Sequence, residues 1–269
     1  MRKRSTNYKK GPAYVKKTMI AGPTITIDKY ISGRIGTKDQ HRVRIHSTEE
    51  KVMRWQNKRA ERKVYGLLEE NFNPDDLWCT FTYPAKTRKS ADEVRKDVDR
   101  FMRRVKRIYR KHEKEVKSIK TGSIGAKGGI HLHMVLNKDF DGAEAAIEKT
   151  WQDTVGTAAC PFPRVNIRHL DRSHNWSQLA AYIVKNGVEG REKGEPIFKH
   201  RYSTSRNLRK PKEKVEIIYA GWWSENPKPL KGYEIIKDSQ RDTFGKEGYP
   251  YQTYTMIRTD IRRNYPLRI

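Results

Sequence analysis

The tripeptide His131-Leu132-His133 has the residue types and spacing to do chemistry. In a strand, successive side chains alternate faces, so Ile130, Leu132, Met134 and Leu136 point one way and both imidazoles stand together on the other. Neutral imidazole is a common ligand for divalent metals, and two rings one residue apart can converge on one ion. Standing alone, the pattern more often marks a solvated strand face, and it is the context that points to a metal. A second constellation follows about fifty residues on, Tyr182-Ile183-Val184-Lys185. On a helix, Leu179 and Ile183 share the inward stripe, while Tyr182 and Lys185 lie on neighbouring turns of one side. A tyrosine hydroxyl can attack phosphorus, a metal can polarise the attacked phosphate, and an ammonium can orient it. Together these residues predict metal-assisted phosphodiester transfer. His131 and His133 are the expected metal ligands, Tyr182 the nucleophile and Lys185 its catalytic partner.

The composition agrees with a polyanionic substrate. Lys and Arg number 58 against 32 Asp and Glu, a formal net charge of +26, and the pI is near 10.0. Such an excess argues against a neutral metabolic enzyme and for nucleic acid as partner, with an anionic membrane surface second. Mean hydropathy is −0.96, and no apolar run approaches the roughly 20 residues that span a bilayer. The basic N-terminus is followed by no apolar stretch of a secretory signal, so a cytoplasmic location is expected. Cys79 and Cys160 are too far apart in sequence to suggest a Cys-type zinc site and read as buried apolar residues. The glycines at 122, 125, 128 and 129 lack a following Lys-Ser/Thr and read as a hairpin turn rather than a phosphate loop. No small-molecule cofactor beyond a metal is implied.

The elements that must position these residues are legible in outline. Residues 1–20 hold seven Lys/Arg and no acid and read as a flexible basic arm. A short strand is expected at 23–31 and a charged helix at 48–70, with Val52, Trp55, Val64, Leu67 and Leu68 as its inward positions. Leu77 to Tyr83 reads as a strand stopped by Pro84. Ser90-Ala91-Asp92-Glu93 is a capping box that predicts a following helix, whose 92–111 stretch carries nine Lys/Arg. Strands at 116–124 and 130–137 flank the glycine turn. A helix at 141–151, a strand at 164–170 and a helix at 175–186 ending at Gly187 complete the order. This is the split βαβ order of an α+β fold, a ferredoxin-like or RRM-like antiparallel sheet with helices on one face. Beyond 190, strands are expected at 215–222, 232–236 and 251–258. Three regions result: a basic arm and N-terminal extension (1–75), a palm (76–190), and a β-rich C-terminal extension (191–269) packed on the palm.

Three stretches carry a resemblance to a known family. Trp78-Cys79-Thr80-Phe81-Thr82-Tyr83, Gly128-Gly129-Ile130-His131-Leu132-His133 and Tyr182-Ile183-Val184-Lys185 look like the three ordered motifs of HUH endonucleases. More narrowly, the chain resembles rolling-circle replication proteins related to the gene II initiators of filamentous phages and their plasmid and prophage relatives. Tyr202-Ser203-Thr204-Ser205-Arg206-Asn207-Leu208-Arg209-Lys210-Pro211 resembles the Ser-Arg-Asn-Leu-x-x-Pro stretch often found beyond the tyrosine helix in that group. The resemblance covers about 77–260. It implies Mg²⁺ or Mn²⁺ dependence, nicking of single-stranded origin DNA with Tyr182 left on the 5′ phosphate, a free 3′-OH primer, and host helicase and polymerase as partners. Arg103, Arg107, Lys127, Arg206 and Lys210 are the expected DNA contacts. Many relatives carry a third metal ligand, a Glu, eight or nine residues before the histidine pair. Here that window reads Thr121-Gly122-Ser123, with Glu113 and Glu115 further back. Another side chain completes the metal shell, or metal is held through water, or the chain is an inactive single-strand binder. A relaxase or transposase using the same chemistry is a further reading. No second tyrosine stands on the helix, so a single-tyrosine enzyme is expected.

Overall fold

The computed structural model describes residues 13–32, 48–84, 86–172, 174–192, 194–218, 223–244 and 250–264. In chain order the elements begin β1 (Ala13–Ala21), β2 (Thr24–Ser32), α1 (Glu49–Asn71), β3 (Leu77–Phe81), α2 (Ala91–Lys111), β4 (Ser118–Gly125), β5 (Ile130–Leu136) and α3 (Ala143–Val155). They continue β6 (Val165–His169), α4 (Ser177–Glu192), β7 (Gly194–Pro196), β8 (Ser203–Thr204), β9 (Lys212–Ile218), β10 (Tyr233–Ile235), β11 (Arg241–Phe244), β12 (Pro250–Arg258) and α5 (Thr259–Asn264). The described residues fall into two compact units, one within 57–210 and one of 13–56 with 211–264.

The larger unit is an antiparallel sheet in the order β6-β3-β5-β4-β7, with β8 also on β4. Its core follows from strand alternation. Leu77, Cys79 and Phe81 of β3 and Leu132, Met134 and Leu136 of β5 turn to one face, where α2 supplies Val94, Val98, Phe101 and Val105 and α3 supplies Ile147, Trp151 and Val155. Phe81, Phe101 and Trp151 meet with ring centroids 4.9 to 5.4 Å apart, within the favourable range for aromatic pairs. The capping box forms as the sequence predicts: the Ser90 side chain accepts the Glu93 amide and the Glu93 carboxylate accepts the Ser90 amide. This is the split βαβ arrangement expected of the palm, an α+β fold.

Helix α4 covers the other face of that sheet. Ala180, Ile183 and Val184 are buried, and the Thr121 hydroxyl of β4 lies 3.1 Å from the Ile183 carbonyl. Gly187 does not stop the helix, as its sequence position suggested; α4 runs on to Glu192. The glycine serves close approach instead. A Cβ at Gly187 would overlap the carbonyl of Arg201, and one at Gly190 would collide with Ser123 of β4. Gly187→Ala is therefore expected to destabilise by about 1–3 kcal/mol through overpacking, despite the roughly 1 kcal/mol that alanine gains in helix propensity. A urea midpoint shift in that direction checks it.

The second unit is a six-stranded antiparallel sheet in the order β10-β12-β2-β1-β9, with β11 also on β12. Ile25 and Ile27 face Met256 and Tyr254 across the β2–β12 pair and form its core cluster. From Ala13 the segment expected to be a flexible arm is strand β1, bonded to β2 on one side and β9 on the other. Val15, Met19 and Ala21 are buried, while Lys17 reaches Glu213 at 2.9 Å. Lys16 and Lys17 mask the alternation in the sequence. The first part of that segment, and Tyr219, Trp222 and Tyr249 among the aromatic residues of the C-terminal strands, lie outside the described residues. On α1, Val64, Leu67 and Leu68 are buried as the spacing predicts, but Trp55 is 54% exposed. Among the described residues no helix is long and apolar enough to cross a membrane.

Candidate active site

The site is built by register. Thr80 of β3 lies opposite His133 of β5, and Thr121 of β4 lies opposite His133 on the other side. Trp78, Thr80 and His133 therefore share the face turned away from the hydrophobic core. Helix α4 crosses this face and delivers Tyr182, which is 44% exposed.

The His133 ring is held by three side chains. Its Nδ1 lies 3.0 Å from Thr80 Oγ1, and its Nε2 lies 3.0 Å from the Tyr182 hydroxyl. Trp78 stacks on it with planes 7° apart and centroids 5.4 Å apart. Tyr182 meets His133 edge-on at 5.2 Å and Trp78 edge-on at 5.8 Å. Asn186, one turn along α4, reaches the Tyr182 hydroxyl at 3.5 Å. Burial and the neighbouring His131 push the His133 imidazole down to about 4, so it is neutral at ordinary pH. A neutral ring satisfies both bonds when Nδ1–H donates to Thr80 and the Tyr182 O–H donates to Nε2.

The other expected site residues scatter. His131 shares the face but is exposed, with its Nε2 beside Gly125 and Gly129 of the hairpin turn. Lys127 sits exposed on that same turn. Lys185 is exposed and lies 3.6 Å from Glu189 of its own helix. Arg103 and Arg107 are exposed on α2, which packs on the core face, so they stand in the layer opposite Tyr182. Arg206 and Lys210 are exposed on a stretch whose other residues are fastened to the palm. There Ser205 accepts the Ser118 amide at 2.9 Å, Asn207 donates to Glu115 at 3.1 Å and to the Val116 carbonyl at 3.2 Å, and the Arg209 amide donates to Asn71 at 2.7 Å.

The donor set decides what metal the site suits. Thr121 and Ser123 put hydroxyls, not carboxylates, opposite the histidines on β4, and Glu115 is engaged by Asn207 before that strand begins. Among the described residues no group of three or more His, Cys, Asp and Glu gathers as a metal site. Two imidazoles without a carboxylate fall short of the oxygen-rich set that suits Mg²⁺ and Mn²⁺, so the residues present do not by themselves fit either expected ion.

Sequence reasoning missed Thr80, Trp78 and Asn186 as members of the site. The alternation in Leu77–Phe81 already puts Trp78 and Thr80 on the side away from Leu77, Cys79 and Phe81. What it lacks is the register between strands some fifty residues apart. Asn186 follows Tyr182 at the i+4 spacing of one helix face.

No curated protein and no solved structure matches the chain. Residues 76–187 match a family model, that of the replication-associated proteins of the ORF2 and gene II protein type. That segment runs from the start of β3 into α4 and contains Trp78, Thr80, His131, His133 and Tyr182, and the match supports a replication-related function for this chain.

Proposed function

We propose that the chain is a replication initiator that nicks single-stranded DNA by transesterification onto Tyr182. The observation that carries this reading is the 3.0 Å contact between the Tyr182 hydroxyl and a neutral, buried imidazole nitrogen. In the proposed step, Tyr182 Oη attacks phosphorus as its proton passes to His133 Nε2. The new Oη–P bond replaces the P–O3′ bond, and the leaving O3′ takes a proton from water to become the primer 3′-OH while His133 gives up its own to solvent, so no net proton is consumed. Thr80 fixes the ring so that Nε2 faces the phenol, the base-and-orienter logic of activated nucleophiles. Trp78 and Tyr182 offer aromatic surface to unstacked bases, which favours single-stranded substrate. The ammonium of Lys185 can leave Glu189 for a phosphate at little cost, since exposed pairs are worth about 0–1 kcal/mol.

The incomplete metal donor set favours a second reading, a single-strand binder without chemistry. Incubating the full chain with labelled single-stranded DNA, alone and with Mg²⁺ or Mn²⁺, separates the two. A covalent protein–DNA species is the expected result, and binding with no adduct under any of these conditions overturns the nicking reading. Thr80→Val keeps the shape and removes the Nδ1 partner. We expect a loss of about 10- to 100-fold in the cleavage step, the scale of a misplaced catalytic group. DNA affinity should hold and Thr80→Ser should restore the rate, which a merely structural threonine would not do.

A further inference from the structure

Helix α2 holds a line of cations that the Tyr182 site does not use. At about 100° per residue, Lys96, Arg100, Arg103, Arg107 and Arg110 fall within about 40° of one line. Val94, Val98, Phe101, Met102, Val105 and Tyr109 occupy the opposite, buried side. The line therefore points straight outward from the palm, in the layer opposite Tyr182, and runs for about 21 Å at 1.5 Å per residue.

Three features mark this line as a binding surface rather than ordinary solvated charge. Arg100 is fixed, with Asp97 at 2.5 Å and the Thr154 carbonyl at 3.3 Å. Among the described residues, however, the side chains of Arg103, Arg107 and Arg110 make no hydrogen bond or ion pair. Stacking like charges at i+3 and i+4 costs the helix about 0.2–0.5 kcal/mol per pair; Asp97 answers Arg100 by direct contact, and an external polyanion can answer the outward arginines that follow it. Finally, every exposed side chain of α2 is charged; its aromatic residues, Phe101 and Tyr109, are buried.

That last feature selects the partner. Surfaces that hold single strands pair cations with aromatic stacking platforms, as the Tyr182 face does with Trp78. A cationic rod without aromatic groups recognises phosphates alone, and duplex DNA presents them rigidly at about one charge per 1.7 Å of axis. We propose that α2 is a tract for the backbone of double-stranded DNA, separate from the face that takes the single strand. The proposal rests on charge and fold and stands or falls apart from the Tyr182 chemistry.

Equilibrium binding of one labelled sequence as duplex and as single strand, to the full chain across a salt series, tests it. The variant Arg103→Gln with Arg107→Gln and Arg110→Gln keeps good helix formers on the surface. Its duplex affinity should fall about tenfold or more, and the slope of log affinity against log salt should drop by about 0.9 for each phosphate no longer engaged. The duplex-to-single-strand affinity ratio should fall with it. Lysine at all three positions should restore the ratio. Lys228→Gln with Lys231→Gln and Lys237→Gln, which removes as much charge from exposed positions of the other unit, should leave the ratio at the wild-type value. An unchanged ratio in the arginine variant, or an equal fall in the lysine control, overturns the proposal.

Discussion

Tyr182→Phe is expected to eliminate the covalent protein–DNA product while leaving the fold intact. The phenylalanine ring keeps the edge-on contacts with His133 and Trp78, and only the hydroxyl bonded to Nε2 is removed. A hydrogen bond of this kind is worth about 1 kcal/mol in stability, whereas removal of a nucleophile in enzymes of the same logic costs on the order of 10⁶ in rate. Chemistry and stability are thus separated by several orders of magnitude in one substitution. Gel shifts with the variant should still show single-strand binding. A variant that melts early and loses binding as well would mark Tyr182 as a packing residue.

His133→Ala is expected to be the second largest loss, on the order of 10²- to 10⁴-fold in cleavage, the usual range for a positioned proton acceptor. The same imidazole also makes a prediction about pH. Its folded value, near 4, lies below the ordinary 6.5, so between those values the unfolded chain binds more protons than the folded one. Its contribution to stability is fully present above about pH 6.5 and is lost as pH falls toward 4. The difference is worth about 3 kcal/mol at about 1.36 kcal/mol per pH unit. Urea unfolding from pH 7 to pH 4 should show this decline in the wild type and a shallower one in His133→Ala. His174, which burial also lowers, keeps its own part of the slope in both. Cleavage by the wild type should stay level from pH 8 to about pH 5 on the acidic limb, because the acceptor remains neutral there. A midpoint near 6.5 would mean that the ring is solvated and not the group described above.

Local signals carried most of the palm. Alternation in Ile130–Leu136 put both histidines on one face, and the Ser90–Glu93 box marked the start of α2 to the residue. The inward stripe expected of Leu179 and Ile183 is met at Ile183, which is buried beside Ala180 and Val184, while Leu179 is only half-buried. What local pattern could not supply was pairing. Thr80 and Trp78 become partners of His133 only through the β3–β5 register. Ala13–Ala21 becomes a strand only because β2 and β9 flank it. Gly187 reads as a helix stop until Arg201, fourteen residues away, is seen against it. Arg103 and Arg107 read in the sequence as DNA contacts with no face assigned, because the layer that a helix covers is set by the crossover between strands and not by the helix itself.

The most direct measurement is mass spectrometry of the wild-type chain digested after reaction with a short single-stranded DNA. The account predicts one peptide carrying a nucleotide through a 5′ phosphotyrosine, the peptide that contains Tyr182. An adduct on any other residue, or one that persists in Tyr182→Phe, would contradict it.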